Sequence, residues 1–165
     1  MPRYLYSAIF YCLLPFILLR LLFRGLAAPN YRKRWRQRFG FFTPPESAKE
    51  TIWLHAVSVG ETLAAVPLVK ALQVKYPDHR LLITCMTPTG SERIAAAFGD
   101  SVDHSYAPYD MPDAVARFIQ RVQPKMLIIM ETELWPNTIA ACHQRQIPVI
   151  LANARLSDKS ARGYA

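Results

Sequence analysis

Glu61 is the first residue in the sequence whose surroundings suggest chemistry. It ends the segment TIWLHAVSVGE at 51–61, in which an apolar run stops at a small polar turn. Ser58 and Glu61 have the S-x-x-E spacing of a capping box, which predicts that the carboxylate folds back onto a backbone N–H at the start of a helix. The same carboxylate could act as a general base, and Gly60 would leave room for a ligand beside it. The two roles are compatible, and the sequence leaves both open.

A second polar turn, TPTGSE, occupies residues 87–92. Thr89 and Glu92 repeat the capping-box spacing, so this turn is predicted to begin another helix. Hydroxyl groups, free N–H groups and a glycine at a helix N-terminus suit a phosphate, although helix capping alone also explains the pattern. The residues of this turn that are candidates for substrate binding are Thr87, Thr89, Gly90 and Ser91.

Glu131 follows five apolar residues at 126–130, which places its carboxylate at the end of a buried strand. This carboxylate could have a catalytic role, or it could form an ion pair with a neighbour such as Arg155. Asn153, Arg155 and Ser157 follow the next apolar segment, where they could bind an anion or only satisfy a turn.

The elements that must position these residues alternate between strand and helix patterns. Strands are predicted at 51–57, 80–86, 102–107, 125–131 and 148–153, with helical spacing between them. Five strands separated by four helices predict an α/β fold with a parallel, Rossmann-like sheet. The polar turns would all lie at the carboxyl ends of the strands, where open α/β sheets bind ligands. Two carboxylates in such a crevice could divide the work between a base and an electrostatic stabiliser.

The N-terminal part of the chain accounts for the whole net charge of +8. Residues 1–40 contain eight basic residues and no acid, whereas the remaining 12 basic residues balance 12 acidic ones. This distribution argues against a nucleic-acid-binding surface on the globular part, and no nucleic-acid partner is predicted. The basic block at 25–50 is predicted to be a juxtamembrane linker that meets anionic lipid.

Residues 5–23 form an apolar segment interrupted only by Arg20. At about 1.5 Å per residue the segment reaches roughly 28 Å, close to the thickness of the hydrocarbon core of a bilayer. We therefore predict a membrane-anchor helix at 1–24, with an in-plane helix and a cleaved signal peptide as alternatives. One basic residue precedes the uncharged stretch 5–19 and seven follow it up to residue 40, so the positive-inside rule places the body of the protein in the cytoplasm.

Cysteine and histidine residues show no metal-binding pattern. Cys12, Cys85 and Cys142 form no C-x-x-C pair and are predicted to be buried free thiols. The four histidines have no metal-ligand spacing, and His55, in mid-strand, is predicted to be a hydrogen-bonded core residue. The sequence therefore predicts no metal site, and no cofactor is expected.

Six segments of the chain together carry a resemblance to a known family. They are HAVSVGET, PLVKAL, TPTGSER, YAPYDMPDAVARF, METELWPN and NARLSDKSARGY. In this order they resemble the N-terminal half of the bacterial 3-deoxy-D-manno-octulosonic acid (Kdo) transferases, and the resemblance covers the whole chain. It implies the two-domain GT-B glycosyltransferase fold, with residues 51–165 as the acceptor-side Rossmann-like domain and the C-terminal donor domain absent.

The resemblance also implies an activity, the transfer of Kdo from CMP-Kdo to a lipid A precursor (lipid IVA) at the bacterial inner membrane. The family's general base is the acid of the SVGE turn, here Glu61, and its transition-state stabiliser is the first acid of METELWPN, here Glu131. The candidates for acceptor binding are Ser58, Gly60, Thr87, Thr89, Gly90, Ser91, Asn153 and Arg155. The isolated chain is expected to be inactive, because the family holds CMP-Kdo mainly in the second domain.

Two other classes of function are compatible with the same composition. A non-enzymatic α/β module tethered to the membrane could recruit a protein partner through the basic linker. A nucleotide-binding Rossmann enzyme is less compatible with the sequence, because no glycine-rich dinucleotide fingerprint follows the first strand.

Overall fold

Five parallel strands form one sheet in the computed structural model, which describes residues 2–46, 49–131 and 133–154. The strands are β1 Thr51–His55, β2 Arg80–Cys85, β3 Asp103–Tyr106, β4 Pro124–Met130 and β5 Val149–Ala152. Each overlaps a segment predicted to be a strand, and every pairing is parallel. The predicted α/β fold with a Rossmann-like sheet is therefore confirmed.

Five α-helices accompany the sheet in the described part of the chain. They are α1 Arg3–Ala27, α2 Val59–Lys75, α3 Pro88–Phe98, α4 Pro112–Val122 and α5 Pro136–Gln144. Three of them begin with a proline, whose fixed φ and missing N–H suit the first helical position. Short 3₁₀ helices occupy Pro29–Arg32, Trp35–Phe39 and Gly99–Ser101.

Helices cover both faces of the sheet. On one face Ile52, Leu54 and Ile83 pack in a core with α2 and α3. On the other face Trp53 and Leu82 pack in a core with α4 and α5. Successive residues of β1 alternate between the two cores because side chains of a strand point to opposite faces in turn. All of β1 is buried, as expected for the central strand of a parallel sheet.

The strand order β3-β2-β1-β4-β5 reverses beside β1. The chain runs outward from β1 through β2 to β3, and then returns to place β4 on the opposite side of β1. The connections that leave the carboxyl ends of β1 and β4 therefore diverge and leave a crevice between them. A switch point of this kind is the usual ligand site of an open α/β sheet.

The helix α1 lies against the body of the protein. Its apolar contact with the body includes Phe10, Leu14, Ile17, Phe39, Met86, Tyr109, Met111 and Ala114. Nearer its start, Asn137 Nδ2 donates a hydrogen bond to Ser7 Oγ at 2.9 Å. By length and composition α1 is the one described helix that could cross a membrane, with a hydropathy of 2.0 over Arg3–Leu26.

The outer side of α1 is apolar and exposed. Its large exposed side chains include Tyr4, Leu5, Ile9, Leu13, Phe16, Leu19, Leu22, Phe23 and Leu26. Phe16 is 68% exposed and Phe23 is 62% exposed. A continuous apolar surface of this kind is typical of contact with a membrane or a partner.

The basic segment at 29–40 folds onto the edge of the sheet. Arg38 is only 1% exposed, and its guanidinium lies 4.2 Å from the centre of the Tyr106 ring. The guanidinium of Arg34 lies 4.6 Å from the same ring. Gly40 ends the segment with a φ of 79°, and a Cβ at this position would collide with the carbonyl oxygen of Ala114. Only glycine therefore fits where this segment meets α4.

Candidate functional site

The connection from β1 to α2 holds Glu61 at the carboxyl end of β1. Ser58 is the N-cap of α2, and its Oγ accepts a hydrogen bond from the Glu61 N–H at 3.2 Å. Glu61 Oε2 accepts in return from the Val57 N–H at 2.7 Å. The predicted capping interaction is confirmed, except that the carboxylate binds the N–H one residue before the cap. Glu61 is 5% exposed, and its Oε1 accepts no hydrogen bond from the described residues.

Gly60 faces open space beside this acid. A Cβ at Gly60 would have one neighbour within 4 Å among the described residues, the Ser58 Oγ at 3.8 Å. Both Ser58 and Gly60 are exposed. Packing within the described protein does not require this glycine, and the surface beside Glu61 is open to a ligand.

Glu131 follows β4, the strand next to β1. His55 pairs with Ile129, so Val57 and Glu131 each lie two residues beyond the last pair of these neighbouring strands. Glu131 has a φ of 58°, a left-handed conformation that is unfavourable for residues with a side chain. Its N–H donates to the Ala152 carbonyl oxygen of the neighbouring strand at 2.8 Å. Backbone strain of this kind concentrates at functional sites.

The turn after β5 supplies a further candidate. Asn153 is exposed and has a φ of 55°, a conformation that asparagine tolerates better than most residues. Arg155 and Ser157 lie outside the described residues. The ion pair between Glu131 and Arg155 therefore remains a prediction, as does a role of either residue in anion binding.

The predicted capping box at Thr89 and Glu92 is wrong. The N-cap of α3 is Thr87, whose Oγ1 accepts a hydrogen bond from the Gly90 N–H at 3.1 Å. A proline occupies the first helical position, so the helix begins two residues earlier than the predicted box requires. Glu92 instead accepts a hydrogen bond from Nδ2 of Asn30 at 3.2 Å.

Two candidates of this turn lie near the crevice. Thr87 directly follows Met86, whose N–H donates to the Val57 carbonyl oxygen at 3.2 Å. The start of α3 is therefore beside the turn that holds Glu61. Thr89 is exposed in the first turn of α3.

The other two candidates of this turn have structural explanations. A Cβ at Gly90 would lie 3.3 Å from the Cβ of Cys85, so close packing accounts for the glycine. Ser91 Oγ accepts a hydrogen bond from Arg34 Nη2 at 2.5 Å. Ser91 therefore contacts the basic segment, on the side of α3 that faces β3.

A buried polar cluster lies beneath the crevice. His55 Nδ1 lies 3.0 Å from Thr84 Oγ1, which also accepts a hydrogen bond from Trp53 Nε1 at 2.8 Å. Trp135 covers the His55 ring edge-on, with ring centres 4.5 Å apart. Burial lowers the pKa of His55 to about 4, so the ring is neutral at pH 7. The prediction that His55 is a hydrogen-bonded core residue is confirmed.

The family of this chain follows from a comparison of its sequence with family models. The model described as 3-Deoxy-D-manno-octulosonic-acid transferase (kdotransferase) matches residues 33–165. The chain belongs to the Kdo transferase family. The resemblance carried by the six sequence segments is thereby confirmed.

Curated Kdo transferases match almost the whole chain. The 3-deoxy-D-manno-octulosonic acid transferase of Haemophilus influenzae is 47% identical over 99% of this chain and 39% of its own length. A probable mitochondrial 3-deoxy-D-manno-octulosonic acid transferase of Arabidopsis thaliana is 38% identical over 98% of this chain and 36% of its own length. The Bordetella pertussis transferase is 34% identical over 84% of this chain and 37% of its own length. The chain therefore spans about two fifths of the length of these relatives.

In this Kdo transferase domain, Asp110 positions the start of α5. It is 2% exposed, and its carboxylate accepts hydrogen bonds from the N–H groups of Asn137 at 3.0 Å and Thr138 at 2.8 Å. A carboxylate from the β3–α4 connection thus caps α5, in favourable interaction with the helix dipole. Trp135, which covers His55, directly precedes this helix. No local sequence pattern predicts the role of Asp110, because the cap comes from a distant part of the chain.

The thiols of this Kdo transferase domain divide by exposure. Cys85 and Cys142 are buried, and burial raises the pKa of each to about 11. Cys12 is exposed on α1, so the prediction of a buried thiol is wrong for this residue. Within the described ranges no group of three or more His, Cys, Asp and Glu residues could hold a metal ion. The expectation that the reaction needs no metal or cofactor stays a prediction.

Proposed function

We propose that this chain is the acceptor-side half of an inverting glycosyltransferase. The reaction is the transfer of Kdo from CMP-Kdo to a lipid A precursor, lipid IVA, in lipopolysaccharide biosynthesis. Membership of the Kdo transferase family supports this assignment. The observation that carries it is an acid after each of two neighbouring strands, Glu61 after β1 and Glu131 after β4, at the switch point of the sheet.

Glu61 is the general base in this proposal. Its Oε1 takes the proton of an acceptor sugar hydroxyl while the hydroxyl oxygen forms a bond to the anomeric carbon of Kdo. The bond from that carbon to the phosphate of CMP breaks, and CMP leaves with the electron pair. The hydrogen bond from Val57 to Oε2 fixes the carboxylate and leaves Oε1 for the proton, which supports the role. General-base assistance of this type contributes about 10²- to 10⁴-fold in rate.

Glu131 is the electrostatic partner in the same proposal. Positive charge develops on the Kdo ring as the bond to CMP breaks, and a carboxylate held beside the ring stabilises that charge. Its left-handed backbone and the hydrogen bond from its N–H to Ala152 support a pre-organised position. Such a group needs no rearrangement during the reaction, which is the source of its catalytic effect.

Donor binding is assigned to the part of the longer enzyme that this chain does not contain. The relatives are more than twice as long as the segment that matches this chain. Holding two reactants in the correct geometry contributes about 7–11 kcal/mol to a reaction between them. We expect the isolated chain to bind the acceptor glycolipid and to transfer no Kdo, because this positioning is missing.

The helix α1 is the single membrane anchor in this proposal, and it lies along the cytoplasmic surface of the bacterial inner membrane. Its exposed apolar side enters the acyl boundary, and the basic segment meets anionic headgroups. The hydrogen bond between Ser7 and Asn137 and the contact with Tyr109 support the in-plane orientation. A helix that left the body to cross the bilayer would lose both. In this orientation the catalytic acids face the cytoplasm beside a glycolipid in the same leaflet.

The substitution Glu61→Gln in the complete two-domain enzyme tests the base. Glutamine keeps an oxygen that can accept the hydrogen bond from Val57, but it cannot take a proton at neutral pH. We expect turnover to fall by about 10²-fold or more, with little change in thermal stability. The assay incubates enzyme, acceptor glycolipid and CMP-Kdo and quantifies the Kdo adduct by mass spectrometry.

Glu92→Gln is the matched control for this experiment. It also removes a carboxylate near the start of a helix that follows a strand, and that carboxylate accepts a hydrogen bond from Asn30. We expect its turnover to match the unsubstituted enzyme. Near-normal turnover of Glu61→Gln would assign Glu61 to helix capping alone and overturn the proposed mechanism.

A further inference from the structure

A small cavity lies between α1, the basic segment and the start of α3. It has a volume of about 190 Å³, and Arg20, Arg24 and Arg38 line it. Arg20 and Arg24 project from α1, whereas Arg38 comes from the 3₁₀ helix Trp35–Phe39. Two neighbouring elements of the chain therefore direct three positive charges at one small space.

The positive charge of this cavity has no counter-charge in the described part of the chain. No acidic residue lines the cavity, and none of the three arginines forms an ion pair with a described carboxylate. Like charges that line the same small cavity repel one another. An anion in the cavity would remove that repulsion.

Arg38 gives independent evidence for a missing ligand. The residue is 1% exposed, and its Nη2 donates one hydrogen bond to the Met86 carbonyl oxygen at 3.0 Å. Its Nε is buried and has no hydrogen-bond partner among the described residues. Burying a guanidinium is unfavourable unless its donors and its charge find partners. This arginine is therefore incompletely satisfied at the wall of the cavity.

The remaining walls favour an anion joined to an apolar body. Thr87, the N-cap of α3, lines the cavity, and an eleven-residue helix directs its positive dipole end toward an anion at this position. Ile17 and Leu21 of α1 form the apolar wall. The cavity thus borders the helix whose outer side exposes Phe16 and Phe23.

We propose that this cavity binds the phosphate monoester headgroup of a membrane amphiphile whose chains lie along the exposed apolar side of α1. A dianion balances three guanidinium groups better than a singly charged carboxylate or phosphodiester. The guanidinium group of arginine can also donate two parallel hydrogen bonds to two oxygens of a phosphate. The residues that line the cavity support a phosphate monoester as the ligand, whatever the rest of the amphiphile is.

The identity of this amphiphile as the acceptor glycolipid rests on the proposed function. Two hydrogen bonds connect the wall of the cavity to the proposed base. Met86 N–H donates to the Val57 carbonyl oxygen at 3.2 Å, and Val57 N–H donates to Glu61 at 2.7 Å. A phosphate held beside Thr87 would therefore anchor the acceptor next to the acid that activates its hydroxyl.

Vesicle binding by the 165-residue chain tests the cavity without any transfer reaction. The probes are phosphatidylcholine vesicles that contain a minor fraction of phosphatidic acid, a phosphomonoester, or of phosphatidylglycerol, a phosphodiester, at equal surface charge. The cavity variant is Arg20→Gln/Arg24→Gln, since both side chains are exposed and their loss leaves the core intact. The control is Arg3→Gln/Lys33→Gln, which removes the same charge from exposed positions outside the cavity.

The ratio of the affinities for the two vesicle types is the readout. We expect the unsubstituted chain and the control to prefer phosphatidic acid, and the cavity variant to lose about tenfold or more of that preference. An unchanged preference in the cavity variant, or no preference in the unsubstituted chain, would overturn the proposal. Inorganic phosphate is the third probe. If it binds the chain as tightly as the phosphatidic acid vesicles do, the site is one for free phosphate and the assignment to a lipid fails.

The outcome is separable from that of the proposed function. Glu61→Gln should leave the vesicle preference intact even though it removes transfer in the complete enzyme. A cavity variant that loses the preference would support the site even if Glu61→Gln retained its turnover. Loss of turnover in Glu61→Gln would likewise stand if the cavity showed no preference for phosphomonoesters.

Discussion

Replacing Glu131 by glycine should stabilise the protein while removing its activity. At a φ of 58° a residue with a side chain costs about 1–2 kcal/mol that glycine does not. Glycine loses more backbone entropy on folding, which offsets about 0.5–1 kcal/mol of this gain. The net gain is about 0.5–1 kcal/mol, which raises the Tm by about 1–4 °C for a chain of this length. The hydrogen bond from the backbone N–H to Ala152 is unaffected by the substitution.

Gln146→Gly is the matched control for this prediction. Gln146 is exposed in the turn between α5 and β5 and has a φ of 56°, close to that of Glu131. Thermal unfolding of the 165-residue chain should show both variants to be stabilised by similar amounts. In the complete enzyme, only Glu131→Gly should lower turnover, by about 10²-fold or more.

A destabilised Glu131→Gly beside a stabilised Gln146→Gly would refute the reasoning. That result would mean that the carboxylate of Glu131 makes a structural interaction stronger than the backbone strain, such as the predicted ion pair with Arg155. Unchanged turnover in a stabilised Glu131→Gly would refute the electrostatic role of the carboxylate. The left-handed backbone of Glu131 would then have no connection to catalysis.

Two further predictions concern the buried histidine and the anchor helix. Because the pKa of His55 is about 4 when folded and about 6.5 when unfolded, stability present above pH 6.5 should be lost as the pH falls to 4. The loss amounts to about 3 kcal/mol. Urea unfolding at a series of pH values measures how the free energy of unfolding falls between pH 6.5 and 4. This fall should be smaller in His55→Gln and unchanged in the exposed His143→Gln, and an equal fall in both variants would contradict the burial argument. Phe16→Gln/Phe23→Gln should weaken binding to anionic vesicles at least about tenfold, whereas Val74→Gln, at an 84% exposed position on α2, should not. Equal effects of these substitutions would contradict the in-plane anchor.

The sheet could be predicted because its strands are short apolar runs bounded by turn residues. β1 and β4 are buried on both faces, so their sequences are almost continuously apolar and differ clearly from the helices between them. Glu61 and Glu131 could be placed at the same edge from the parallel topology alone. The left-handed backbone of Glu131 could not be predicted, since nothing in its sequence neighbourhood favours that conformation over a continued strand.

Helix starts were predicted less reliably where two capping residues compete. Thr87 and Thr89 both precede the apolar part of α3, and the acid at Glu92 favoured the second of them. Pro88 decides the start, because proline is most compatible with the first helical position and leaves Thr87 as the cap. The sequence contained this signal, but the capping-box spacing outweighed it.

The packing of the basic segment against the sheet could not be predicted from local sequence. A run of arginines is normally a solvated surface, and this run was predicted to be a linker against lipid. Within this run, Arg38 lies over Tyr106 and near Tyr109, with its guanidinium 4.2 Å and 6.0 Å from the two ring centres. The partners belong to β3 and the connection that follows it, so only the tertiary fold brings them together.

Asp110 connects α1 to the start of α5 through buried hydrogen bonds. Its carboxylate holds the first turn of α5, and Asn137 in that turn also bonds Ser7 of α1. A displacement of α1 relative to α5 would have to break this buried chain of hydrogen bonds. Trp135 directly precedes α5, and its ring packs against the ring of His55 at the end of β1. Asp110 therefore couples the position of α1 to residues at the carboxyl ends of β1 and β4 through contacts within the described part of the protein.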